Sequence, residues 1–246
     1  VIQGKIHRLR HDPRRRGWGK EIGEPLNYTF QFGTVIDHFP DLLAGAALTI
    51  RLSALTMVFG LAIGMACAVA KAYGPRPLRW LATSYIELIR NTPFLIQLYF
   101  VFFALPHLGV RLSPNNSALL AMVINLGAYS AEIVRAGVES IPHGQIEAGR
   151  ALGLRPIQIV RFLILFPALK AVYPALTSQF ILVLLGSSIV SAIAADELTA
   201  VANTLNSQTF RSFEIYTIVT LMYVVIVFGF RAIFTSIYAF AFARRG

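Results

Sequence analysis

Residues Glu147-Ala148-Gly149-Arg150-Ala151-Leu152-Gly153 form a polar, small-residue run between two long apolar stretches. The chemistry open to such a run is recognition. Ala148, Gly149 and Gly153 would leave a shallow, nearly side-chain-free helical face that admits another backbone. Glu147 can cap or pair there, and Arg150 and Arg155 add charges at the rim. Pro142 precedes the run, Gly153 is placed to end a helix, and Pro156 suits the first turn of the next one. The expectation is a short docking helix. A second set, Thr49, Arg51, Asn91, Thr92, Gln97, Asn125, Ser187 and Ser188, puts polar groups within otherwise apolar runs, as a midplane site for a polar ligand requires. Ser and Thr hydroxyls can instead bond to their own helix carbonyls, whereas the amide of Asn125 has fewer local partners. Arg51 falls well inside the bilayer if its helix starts near Leu42, at a cost of at least about 2.5 to 3.5 kcal/mol. It either meets a ligand carboxylate or an internal Glu in a polar cavity, or snorkels to the headgroups.

Bond-making chemistry is not in view. The sequence has no Gly-rich phosphate loop ending in Gly-Lys-Ser or Gly-Lys-Thr and no His/Cys/Glu set at metal-ligand spacing. His7, His11, His38, His107 and His143 are scattered outside the apolar runs, and no acid, base and nucleophile gather. Cys67, the single cysteine, cannot form an intrachain disulfide and reads as a small packing residue.

The elements that must position these residues are membrane helices. The 246 residues are 56% hydrophobic and 14% charged, with a mean hydropathy of +0.62, too apolar for an ordinary soluble domain. Uncharged runs cover Leu52 to Ala70, Asn91 to Val110, Leu112 to Ala131, Ala171 to Ala195 and Ile215 to Phe230. Most approach the roughly 20 residues that a helix needs to cross about 30 Å of hydrocarbon. Five transmembrane helices follow. A membrane β-barrel would alternate apolar and polar residues over segments of about ten, and these runs are continuous. No internal repeat or low-complexity tract is evident.

The formal charge of +10 sits at span ends and in an N-terminal tail rather than in an aromatic-interleaved patch, so membrane orientation explains it better than nucleic acid. Lys71, Arg76 and Arg79 follow the first span; Arg135, Arg150, Arg155, Arg161 and Lys170 follow the third; Arg244-Arg245 end the chain. The positive-inside bias places these in the cytoplasm and the N-terminus outside. The tail, with Lys5, Arg8, Arg10, Arg14, Arg15, Arg16 and Lys20, disagrees, but it lies beyond the reach within which that bias counts. Residues 34–44 read as an interfacial lead-in. The domain division is 1–41 for the basic tail and lead-in and 42–243 for the membrane domain, with a cytoplasmic loop at 136–169. The chain begins at Val1 rather than Met, with no signal-peptide pattern before the first span, as expected of a trimmed or renumbered sequence. Gly60 and Gly64 are spaced for close helix approach, either internal packing or a dimer face. Glu87 with Arg90 and Glu132 with Arg135 are spaced to pair on one helix face, and Arg231 to snorkel at the inner interface.

Glu147-Ala148-Gly149, three further residues, Gly153 and an apolar stretch reaching a proline resemble the E-A-A loop of ABC-transporter permease subunits. The wider similarity is to the polar amino acid uptake branch, the histidine, glutamine and arginine permeases. It is carried by Tyr85-Ile86-Glu87-Leu88-Ile89-Arg90-Asn91-Thr92-Pro93 before Gln97, by Ala128-Tyr129-Ser130-Ala131-Glu132-Ile133-Val134-Arg135-Ala136-Gly137, and by Ser140-Ile141-Pro142 before Gly144-Gln145. Gln179-Phe180-Ile181, Ser187-Ser188-Ile189-Val190-Ser191, Glu197-Leu198-Thr199 and Asn206-Ser207-Gln208-Thr209-Phe210-Arg211 extend it over about residues 42–240. Two departures stand out. Gly149 replaces alanine at the third motif position, lowering helix propensity by up to about 1 kcal/mol, and the terminal proline falls one residue late, at Pro167 after Phe166.

The resemblance implies an all-α integral membrane domain of five helices, the MetI-like transmembrane domain of a type I ABC importer, in the bacterial inner membrane. It implies a dimer with a second permease, identical or homologous. A cytoplasmic ABC ATPase dimer would sit against Gly144, Glu147, Ala148, Gly149, Arg150 and Gly153, and an extracytoplasmic binding protein would deliver solute. ATP and Mg would be bound by the ATPase, this chain carrying no cofactor and no catalysis. Membrane lipid is the remaining partner, and no nucleic acid is implied. The implied work is uptake of polar amino acids or their derivatives by alternating access, with Arg51 hinting at a carboxylate-bearing solute. The rival readings are an ion-coupled secondary transporter, which predicts broken helices in paired repeats and an intramembrane carboxylate, and a membrane-embedded enzyme, for which no reactive cluster is present.

Overall fold

The computed structural model describes residues 28–159, 162–163 and 166–242. The chain divides into Val1–Gln31 and Phe32–Gly246, and the helical membrane domain belongs to the second unit. The basic tail with His7 and His11, together with Arg161, Arg244 and Arg245, lies outside the described residues. In the first unit the rings of Tyr28 and Phe30 meet edge to face at 5.3 Å.

All regular elements among the described residues are helical. A short helix α1 (Gly33–Asp37) leads into α2 (Phe39–Tyr73), which carries Pro40 in its first turn, where no intrahelical N–H is required. Arg76–Arg90 is α3, and Phe94–Tyr99 is α4, which continues through a π turn at Phe100–Ala104 and a 3-10 turn at Leu105–Leu108. Gly109, at φ +84°, then closes the segment in the left-handed region that favours glycine. Helix α5 (Pro114–Glu139) starts on Ser113, whose hydroxyl accepts the Asn116 N–H at 3.3 Å, ahead of a proline in the first turn. The polar loop folds as α6 (His143–Ala151) and a single turn α7 (Pro156–Gln158). Helix α8 (Phe166–Gly186) runs on as a 3-10 segment, Ser187–Ile193, followed by α9 (Leu198–Thr209) and α10 (Ser212–Phe242).

Among the described residues four helical stretches are long and apolar enough to cross a membrane: Phe39–Ala72, Pro114–Glu139, Phe166–Ile193 and Ser212–Phe242. The sequence predicts five continuous spans, and the second is where the structure differs. Arg76–Arg90 and Phe94–Leu108 are long and apolar enough only together and meet at 112°, so the predicted second span, Asn91 to Val110, is the second arm of a bent helix pair. Pro93 supplies the cause, since it lacks an N–H and disfavours helical geometry at Thr92. Arg76 and Arg79, expected in a loop, lie on α3, an amphipathic helix that buries Ala82 and Ile86.

The core joins α2, α5 and the elements around the break. Gly60 and Gly64 lie against α5, where a Cβ would meet Leu126 at 2.8 Å and Ser130 at 2.5 Å, so this pair serves internal packing. Leu98, Ala118, Leu126, Leu184 and Val190 are fully buried in one cluster, and Leu42, Leu198, Ala202 and Ile215 in another that joins α2, α9 and α10. Along its length α10 is the most open of the spans, with 6% of its apolar window buried.

Candidate translocation and docking sites

At the bend between α3 and α4 Pro93 offers no N–H to the Ile89 carbonyl, and nearby polar side chains bond to this and neighbouring carbonyls. Asn91 Nδ2 donates to the Glu87 carbonyl at 2.8 Å, and the Thr92 hydroxyl to that of Leu88 at 2.8 Å. The Gln97 amide donates across the bend to Ile89 O at 2.7 Å, Thr92 O at 3.0 Å and Thr92 Oγ1 at 2.9 Å. Asn125, on α5, donates to Gln97 Oε1 at 2.9 Å. Thr92, Gln97 and Asn125 therefore form one chain of hydrogen bonds. Beside it lies a cavity of about 350 Å³ lined by Thr92, Pro93, Phe94, Met122, Asn125 and Tyr129 and, from α8, Gln179, Leu182, Val183, Gly186 and Ile189. Its polar wall is uncharged.

The other residues named from sequence lie elsewhere. Thr49 is buried and accepts the Leu198 N–H at 3.1 Å while donating toward Glu197 Oε2 at 3.4 Å. Glu197 is itself buried. It caps α9 through the Ala200 N–H at 2.9 Å and accepts from the Tyr223 hydroxyl at 2.8 Å. Burial pushes its carboxyl above the usual carboxylate range, against these donors. Thr49 thus belongs to a packing network between α2, α9 and α10. The hydroxyls of Ser187 and Ser188 return to the carbonyls of Leu184 and Leu185, at 2.7 and 2.9 Å, which fits the 3-10 winding there. Arg51 is exposed on α2 and is absent from the cavity lining. Tyr129 and Gln179 are the polar cavity residues outside the site expected from sequence, and the apolar lining residues lie outside it too. Gln179 carried a signal, as an amide within the Ala171 to Ala195 apolar run.

Toward the Glu139 end of α5, Glu132 gathers cations from three helices. Lys71 of α2 lies at 2.8 Å, Arg135 at 2.8 Å and Arg90 of α3 at 3.9 Å. Arg135 also pairs with Glu139. The expected Glu132–Arg135 pair is present. Arg90, expected to pair with Glu87, instead turns toward α5, where it also lies over the Tyr129 ring, 5.6 Å from its centroid.

Helix α6 presents Gly144, Gln145, Glu147, Ala148, Arg150 and Ala151 to the exterior. Its end is a Schellman motif: the Gly153 N–H bonds to Arg150 O at 3.0 Å and the Leu154 N–H to Gly149 O at 3.1 Å, with Gly153 at φ +74°. The structure corrects one detail. Gly149 does not share the open face with Ala148; it is buried, and a Cβ there would lie 2.5 Å from Leu163 Cδ1 and 3.4 Å from Ile159. Close approach at Gly149 is therefore to the chain's own return segment, and the open face is Glu147, Ala148, Arg150 and Ala151.

A helical membrane domain with a bent helix pair, a cavity beside the bend that sets a few amides and hydroxyls among apolar side chains, and an exposed helix in the loop after α5 fits a permease fold. The chain belongs to the binding-protein-dependent transport system inner membrane component family, which it matches over residues 60–244. It is 36% identical over 199 residues to the glutamine transport system permease protein GlnP of Escherichia coli K12, covering 80% of this chain and 91% of the relative. It is 38% identical over 160 residues to the L-cystine transport system permease protein TcyB of Bacillus subtilis, covering 65% and 68%. A solved amino acid ABC transporter with histidines superposes with a TM-score of 0.79 at 34% identity, over 85% of this chain and 98% of that one. The chain is a permease subunit of an ABC importer with a MetI-like type I transmembrane domain. A broken helix is also what the secondary-transporter reading predicts, but family membership over most of the chain goes against that reading.

Proposed function

We propose that this chain moves polar amino acids or close derivatives through the cavity beside Thr92, Asn125, Tyr129 and Gln179, driven by a separate ATPase that docks on α6. The observation that carries the docking reading is the outward face of α6, small at Ala148 and Ala151 and charged at Glu147 and Arg150, on a helix held to its own return segment through Gly149. The amino-acid reading rests on the glutamine and cystine permeases to which the chain is similar and on a neutral, mainly apolar cavity in which the amides of Asn125 and Gln179 can meet a zwitterion's polar groups.

In this reading ATP and Mg²⁺ are bound by a cytoplasmic ATPase dimer, and this chain holds no nucleotide or metal. A second permease, identical or homologous, completes the pathway, and an extracytoplasmic binding protein delivers the solute. The loop charges support an orientation with α6 and the C-terminus in the cytoplasm and the N-terminus outside. Closure of the ATPase pair would move α6, and with it α5 and α8, as levers.

Ala148→Arg tests the docking face, since it places a long cation where another backbone must approach. Membrane insertion should be unchanged and recovery of the ATPase with the purified chain should fall about tenfold, as a loss of about 1.4 kcal/mol in binding would give. Undiminished recovery would place the ATPase contact elsewhere.

A further inference from the structure

Arg90 ends α3 beside the cavity, and the function above does not use it. Its guanidinium lies over the ring of Tyr129, a residue that lines the cavity. Glu132 is 3.9 Å away, beyond hydrogen-bonding distance, and already takes Lys71 and Arg135 at 2.8 Å each. Arg90 is thus the most loosely held of the three cations around this carboxylate, with its side chain 43% exposed. A guanidinium offers five N–H donors in a fork that matches a carboxylate in two parallel bonds, and an aromatic ring beneath it fixes its plane without consuming those donors. The cavity lining contains no charged residue, and of the three cations around Glu132 Arg90 is the one in contact with a lining residue, Tyr129, and the one not hydrogen-bonded to the carboxylate.

We propose that Arg90 is a specificity-determining residue that receives the α-carboxylate of the solute at the mouth of the cavity, with Tyr129 orienting the guanidinium and Glu132 holding it between turnovers. This assigns to Arg90 the role that the sequence suggested for Arg51, and it rests on the amino-acid reading above. The neutral groups of Asn125, Thr92 and Gln179 are left to the remaining polar atoms of the solute. Replacement of Glu132 by the incoming carboxylate exchanges one anion for another around Arg90, so no charge is left uncompensated.

The test is equilibrium binding to the purified permease–ATPase complex, without binding protein, of glutamine, cystine and histidine, each compared with its α-amide. The wild-type complex should favour the carboxylate form of whichever probe binds by at least about tenfold, in keeping with a charge-assisted bidentate pair. Arg90→Lys should keep part of that preference, and Arg90→Gln should bring the ratio close to one. An unchanged ratio in Arg90→Gln, or equal weakening of both forms, overturns the assignment by showing that Arg90 acts only through packing. A wild-type complex that binds none of the three probes overturns the amino-acid reading and this one with it, an outcome distinct from an unchanged ratio.

Discussion

Thr49 and Glu197 show how a polar residue in an apolar run can serve packing. Each is buried, and together with the Tyr223 hydroxyl and the Leu198 and Ala200 N–H groups they tie α2 to α9 and α10. From sequence, Thr49 carried the same signal as Thr92, because only the fold decides whether a hydroxyl faces a cavity or a neighbouring helix. Glu197 gives this network a pH dependence. Its folded carboxyl titrates above its unfolded value because burial disfavours the charge. Its contribution to stability is complete below the unfolded carboxylate value near about 4.3 and is lost as pH rises through the folded value. Thermal unfolding of the purified protein across that window should show stability falling with rising pH, and Glu197→Gln should flatten this slope. Equal slopes in the two proteins would mean that the carboxylate is fully compensated. Arg51 and Arg90 complete the residue-scale picture: the first is legible as an intramembrane charge, whereas the second, at the end of an amphipathic helix, gains significance only from Tyr129 and the cavity behind it.

At the scale of elements, four of the five apolar runs fall on single long helices and the other on one arm of a bent pair, and the polar loop is recognisable as a helix ended by Gly153. The bend is not legible from hydropathy, although Asn91-Thr92-Pro93 carries its cause. Hydropathy averages over a proline, and at the 112° bend Gln97 bonds to the Ile89 and Thr92 carbonyls while Asn125 holds Gln97 in place. Burial also sorts glycines that look alike in sequence. At Gly64 a Cβ would lie 2.5 Å from Ser130 Cβ and 2.9 Å from the Ala131 backbone nitrogen, so α2 and α5 would have to separate. At Gly149 the nearest atom is the mobile tip of Leu163. Gly64→Ala should therefore destabilise the purified protein by about 1 to 3 kcal/mol. Gly149→Ala should be neutral or stabilising by up to about 1 kcal/mol, since alanine is the better helix former. Thermal unfolding of both variants checks the contrast, and a larger loss at Gly149 than at Gly64 would contradict the packing described.

For the whole molecule, membership of the binding-protein-dependent transport family implies work inside an assembly, and the open length of α10 and the outward face of α6 leave surface for lipid and partners. Sequence resemblance reached this level more securely than residue chemistry did, because a permease performs no bond-making that would leave a reactive cluster to find. In the proposed function, transport by this chain is driven by ATP through a docked ATPase. The most direct test of this is glutamine uptake by proteoliposomes containing this chain with its co-purifying ATPase, with ATP on the ATPase side and binding protein on the other. Uptake should require both ATP and binding protein and be indifferent to an imposed proton gradient. Accumulation by the chain alone, driven by that gradient without ATP, would contradict it.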